Sequence, residues 1–143
     1  MKIAAITLIV SIFFVSSHAQ NLTYRITETK TLSFSEYNDE WITIDSTYPS
    51  AMNAFLNDNS IKITDQSHSN YTMYGFPEKK TKPTYVTSKW SAIDEKKRDC
   101  VVMLQIINPG DKDYQKNILY VMYKSLTFLY VIEPTDEVKT TSL

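Results

Sequence analysis

The stretch CVVMLQIINPGDKDYQKNILYVMYKSLTFLYVI, residues 100–132, decides the fold. Cys100 to Ile107 is apolar at nearly every position and ends before helical spacing could develop, as in a strand buried on both faces. Asn108-Pro109-Gly110-Asp111 is a strong turn, because proline and glycine supply the backbone angles that a tight reversal needs. Ile118 to Tyr123 and Leu126 to Ile132 then flank Lys124-Ser125, a two-residue hairpin connection. Pro134 has no N–H to continue a ladder and stops the last strand. Strands joined this closely leave no room for a crossover helix, so they run antiparallel.

The same grammar extends toward the N-terminus. Thr84 to Ile93 reads as a strand carrying Tyr85, Val86 and Trp90, and Asp94 to Asp99 is a highly charged hairpin connection. Further upstream, Leu22 to Phe34, Trp41 to Asp45, Ile61 to Asp65 and Tyr71 to Phe76 alternate apolar and polar residues, the period of a half-buried strand. Turns are expected at Ser35–Glu40, Asn57–Ser60 and Ser67–Asn70, and a loop from Pro77 to Pro83. Tyr48 to Leu56 breaks the pattern. Ser50 is a suitable N-cap, so residues 50–56 are expected to form one or two helical turns, with a strand as the alternative.

The expected fold class is therefore all-β: a single antiparallel meander of about eight strands, closed or nearly closed into a barrel that removes exposed edges, with a β-sandwich as the competing architecture. The abundance of tyrosine, threonine, isoleucine and valine fits pleated, half-buried surfaces.

Met1-Lys2, the apolar run Ile3–Val15 and the small residues Ser16-Ser17-His18-Ala19 have the three regions of a secretory signal peptide, with Gln20 as the new N-terminus. The expected organisation is a signal peptide at 1–19, one β domain at 20–134 and a flexible tail at 135–143. Location is expected to be secreted or periplasmic, without stable membrane insertion. The chain has 15 basic and 16 acidic residues, a formal net charge of −1. Loss of Lys2 with the leader makes the remainder one unit more negative. No concentrated basic surface is left, and nucleic acid is excluded as a partner.

Little in the chain supports covalent chemistry. Cys100 is the sole cysteine and lies in an apolar strand, where it reads as a small core residue. His68 is the one histidine beyond the leader and sits in a polar turn. Neither zinc nor nucleophilic catalysis finds its residue set. Asn57-Asp58-Asn59 and Asp111-Lys112-Asp113 are oxygen-rich, but turn chemistry accounts for both. Two isolated glycines cannot build a phosphate loop. No catalytic residue, metal or cofactor is expected. Asp45, Asp65, Asp94 and Glu133 lie near strand ends, and two of them in one cleft would be needed for a carboxylate-dependent hydrolase.

The aromatics are the remaining candidates. Tyrosine and tryptophan join an apolar face to a hydrogen-bonding tip, which suits core packing and also apolar or sugar ligands. Tyr85, Trp90, Tyr120 and Tyr130 are the expected ligand-binding residues. With Lys124-Ser125 as the turn, Tyr120 and Tyr130 are expected near one another on a shared face.

Trp90-Ser91-Ala92-Ile93-Asp94, the charged residues Glu95 to Asp99, and then Cys100-Val101-Val102-Met103 form a pattern that resembles small exported β-domain proteins of Gram-negative bacteria. The resemblance covers the second half of the chain and implies a secreted β domain without an assigned activity. Size and strand number also resemble a calycin barrel. The lipocalin signature, a glycine two residues before a tryptophan, is absent, since Asp39-Glu40 precede Trp41. The function these readings favour is a non-enzymatic exported binding module for a small apolar or amphipathic ligand or a partner protein. The alternative is a structural or interaction protein, an accessory subunit or inhibitor, with a packed core.

Overall fold

The structure, a computed structural model, describes residues 21–64, 69–108 and 116–135. The expected leader at 1–19, Asp65, His68, the Pro109-Gly110-Asp111 turn, Asp113 and the tail beyond Thr135 lie outside the described residues.

Nine strands form one antiparallel sheet: β1 (Leu22–Ser35), β2 (Glu40–Thr47), β3 (Met52–Leu56), β4 (Ser60–Thr64), β5 (Ser69–Thr81), β6 (Tyr85–Asp94), β7 (Asp99–Ile107), β8 (Asn117–Met122) and β9 (Leu126–Pro134). Each strand from β3 to β9 pairs with the next, and β9 pairs back onto β1 from Tyr24↔Pro134 to Ser33↔Leu126. The result is a closed eight-stranded barrel, with β2 as a ninth strand outside the closure. Closure pairs β1 with β9 and so removes the two edges that an open meander of these strands would leave, which is the physical reason that it closes.

β1 organises the closure. Its first residues, Leu22 to Ile26, pair with β3, and Thr29 to Ser35 pair with β2 along the same edge. A register shift between Ile26 and Glu28 marks a bulge at Thr27, which bends the strand around the barrel. The bulge also reverses the alternation. Tyr24 and Ile26 enter the core, whereas Glu28 points to the outer face and ion-pairs with Lys30 at 3.4 Å and Lys116 at 3.9 Å. β5 is bent likewise between Tyr74 and Glu78. Gly75 there has φ 76°, a backbone conformation that costs glycine little.

Two segments differ from expectation. Residues 50–56 do not form a helix: Met52 to Leu56 is a strand held between β1 and β4. Pairing on both edges outweighs the helical preference of Ala51, Met52 and Leu56. The expected loop from Pro77 also continues as strand to Thr81, pairing with β6 through Glu78↔Lys89 to Thr81↔Val86. Pro77 falls inside the bulge, where a missing N–H breaks no ladder bond.

A packed core cluster occupies the barrel. Ile26, Ala54, Ile61, Ile63, Ala92, Val102, Leu119 and Val121 are essentially inaccessible to solvent, with Tyr24, Leu56, Met73 and Ile132 closing gaps between them. Cys100 belongs to this core. Burial, reinforced by the negative charge of Asp94, pushes its thiol up to about 11, so it is a poor nucleophile.

Candidate functional site

Above the packed interior, at the end that carries the β1–β2, β6–β7 and β8–β9 turns, the barrel opens into a cup of about 290 Å³. Its key is Asp94, the last residue of β6, which faces inward and is 7% exposed. The turn that follows is built around this side chain. Oδ1 accepts the backbone N–H groups of Lys96 and Arg98, both at 2.9 Å. Oδ2 accepts Arg98 Nε at 2.7 Å and the Tyr123 hydroxyl at 2.8 Å. The Asp94 carbonyl accepts the Lys97 N–H, and Lys97 takes φ 64° to complete the reversal.

These contacts set the electrostatics. Burial alone would raise the Asp94 carboxyl, but the bonds from the Arg98 backbone, Tyr123 and the Arg98 guanidinium hold it down at about 2. It is therefore a fixed anion and a weak base. Burial and the bond to Asp94 drive the Tyr123 phenol well above its ordinary range. The Arg98 guanidinium, raised by the same carboxylate, lies 5.3 Å over the Tyr123 ring, a cation–π contact. Tyr123 in turn meets the edge of Phe128 at 6.2 Å between centroids.

Three walls enclose the cup. Tyr71, with Ser69 and Asn70, comes from the start of β5; Tyr123 comes from the β8–β9 turn, and Phe128 and Tyr130 from β9; Lys96 and Arg98 stand on the rim. Glu95, the rim acid, is bonded by the Asn70 side chain amide. The Arg98 side chain is 60% exposed. It lines the opening of the cup with its charged end toward the solvent side. An aromatic floor below and polar donors above is the general arrangement of a site for a small amphipathic molecule.

The four expected residues do not gather in one place. Tyr130 is buried in the core and floors the cup. Trp90 points inward and packs on the core cluster. Tyr85 and Tyr120 lie on the outer face by strand alternation. They are near enough that, after burial, Tyr85 contributes to raising the Tyr120 phenol. The expected shared face of Tyr120 and Tyr130 is not formed. Across the Lys124-Ser125 turn, Tyr120 pairs with Leu129 and Tyr130 with Leu119, one residue out of step and hence on opposite faces. The carboxylates are also scattered. Glu133, near the opposite end, bonds Arg25 at 2.7 Å, Asp45 is exposed on β2, and Asp94 meets cations and hydroxyls.

Sequence reasoning did not single out Tyr71, Tyr123 and Phe128 from the other aromatics, and it missed Arg98. The available signal was an Asp and an Arg four residues apart inside a charged hairpin turn, which lets one side chain cap the turn and hold the other. Among the described residues no three His, Cys, Asp or Glu side chains form a metal-binding group. Comparison of the chain with family models, curated proteins and solved structures finds no match.

Proposed function

We propose that the protein is an exported, non-enzymatic binding module that holds a small amphipathic molecule at the mouth of its barrel. The observation that carries this reading is the cup itself: a concavity floored by Phe128 and Tyr130 and rimmed by Arg98 and Lys96, set above the packed core cluster. Its size is at the small end of ligand sites, which run from about 300 Å³ upward. That favours a single ring or a short chain over a long lipid. The apolar part would lie against Phe128 and Tyr130, and the polar part would meet the rim donors. Asp94 fixes the rim and takes no proton from the ligand, since its carboxyl is already held by four donors.

Titration of a lipid and glycan panel, followed by aromatic NMR signals, tests the reading. Ligand-dependent shifts should centre on Tyr71, Phe128 and Tyr130, and Phe128→Ala should weaken the response about tenfold, the loss of a well-buried apolar contact. Shifts centred instead on Tyr85 and Tyr120, or none across the panel, would remove the small-ligand reading.

A further inference from the structure

The sheet has one strand outside the barrel closure. β2 pairs with β1 on one side and with nothing among the described residues on the other. All eight of its residues are exposed. Tyr37, Trp41, Ile42, Ile44 and Tyr48, in β2 and the segments flanking it, are large apolar or aromatic side chains left in solvent, from 40% for Ile42 to 98% for Tyr37. Trp41 has a partial partner in Phe34, with ring centroids 5.4 Å apart, and by alternation Ile42 points to the other face. A side chain stripe on each face and a row of unpaired backbone groups between them is the template for adding a strand.

Free edges in this molecule are not all alike. Beyond Thr72, β5 also lacks a neighbour on the β4 side, since β4 pairs with Ser69 to Thr72 only. That edge carries Pro77, Lys79 and Lys80, the residues by which proteins keep an edge from pairing. β2 has no proline and no lysine. Its one irregularity is the bulge at Ile44, which leaves the run Glu40–Thr43 straight.

Charge indicates what can pair there. Between Glu36 and Tyr48 the chain carries Glu36, Asp39, Glu40 and Asp45 and no basic residue. None of the four forms an ion pair among the described residues. A second copy pairing β2 with β2 would bring an equally acidic strand alongside and be repelled. We infer that the outer edge of β2 receives an extended segment of a partner protein in which apolar residues alternate with lysine or arginine, added to the sheet as a further strand. Main-chain bonds hold the segment, its basic residues neutralise the acidic hairpin, and its apolar residues cover Trp41 on one face and Ile42 on the other. The inference is independent of the ligand proposed for the barrel mouth.

The test uses synthetic peptides and amide-resolved hydrogen exchange. An acetylated peptide alternating lysine and valine should slow exchange along Glu40–Thr47, and its affinity should fall as salt is added. A glutamate–valine counterpart should bind roughly tenfold more weakly. The variant Glu36→Lys/Glu40→Lys/Asp45→Lys, altered at exposed positions, should reverse that preference while leaving the far-UV spectrum unchanged. Equal binding of a lysine–proline peptide, which has the charge but cannot extend a ladder, would overturn the inference. So would an absence of protection in β2, or protection of β2 in the free protein, which would show the edge already occupied by another copy or another segment of the chain.

Discussion

β2 and β3 lie end to end along the same edge of β1, yet they have opposite fates. β3 is paired on both sides, and its Ala54 and Leu56 are sealed in the core. β2 is paired on one side and has no residue sealed in the core, although Trp41-Ile42-Thr43-Ile44 is the more strand-prone of the two sequences. Pairing made β3 a strand against its helical preferences, and position relative to the barrel closure decided which of the two would stabilise the fold. The lesson is that the apolar residues of β2 contribute little to stability and are available for recognition.

The largest expected effects lie in the barrel. Ile61→Ala removes a side chain fully enclosed between β3 and β5 and should cost about 3 kcal/mol. Ile44→Ala should stay within about 0.5 kcal/mol, as at other exposed sites. Urea unfolding with unchanged slope checks both values, and similar losses at the two positions would break the comparison.

Next comes the turn at the barrel mouth. Asp94→Ala strips two backbone N–H groups, a guanidinium and a phenol of their acceptor and should cost about 2 kcal/mol. Tyr123→Phe, which removes one of those bonds, should cost about 1 kcal/mol. The Asp94 carboxyl is lower in the folded state than its ordinary 3.8, at about 2. Its contribution is therefore complete above the ordinary carboxylate range and is lost as the pH falls toward 2. Acid unfolding of Asp94→Asn should be less steep in that window than that of the unaltered protein.

The smallest effect is chemical. Cys100 is buried with its thiol raised to about 11. A disulfide reagent near neutral pH should therefore label it at the rate of opening of the barrel, and should label Ile61→Ala faster. Immediate labelling of the native protein would show that the core near β7 is accessible.

Most of the barrel was legible because it obeys alternation. Leu22–Phe34, Ile61–Asp65, Cys100–Ile107 and the Lys124-Ser125 hairpin hold their expected places in the chain, within a residue or so at their described ends, but the bulge at Thr27 puts Leu32 and Phe34 on the face opposite to Tyr24 and Ile26 rather than on the same one. β3 was not, because Ser50 to Leu56 carries the capping and side chain preferences of a helix, and the partners that make it a strand are distant in sequence. The extension of β5 past Pro77 was hidden by a proline and lysines that read as a loop, and it exists because Gly75 can turn the strand first. The site was less legible than the fold. Trp90 and Tyr130 differ from Tyr85 and Tyr120 only in parity, and parity follows from register. One residue of register at the β8–β9 turn separates Tyr120 from Tyr130. Arg98 looked like a solvated turn residue because the carboxylate that holds it, Asp94, turns inward.

Amide hydrogen exchange of the free protein, resolved by residue, tests the division of this molecule into a closed barrel and an open edge. The account predicts slow exchange throughout β3, including both sets of its alternating amides, and fast exchange at every second residue of β2, where the N–H points away from β1. Uniformly slow exchange along Glu40–Thr47 in the monomer, matching that of Met52–Leu56, would contradict it.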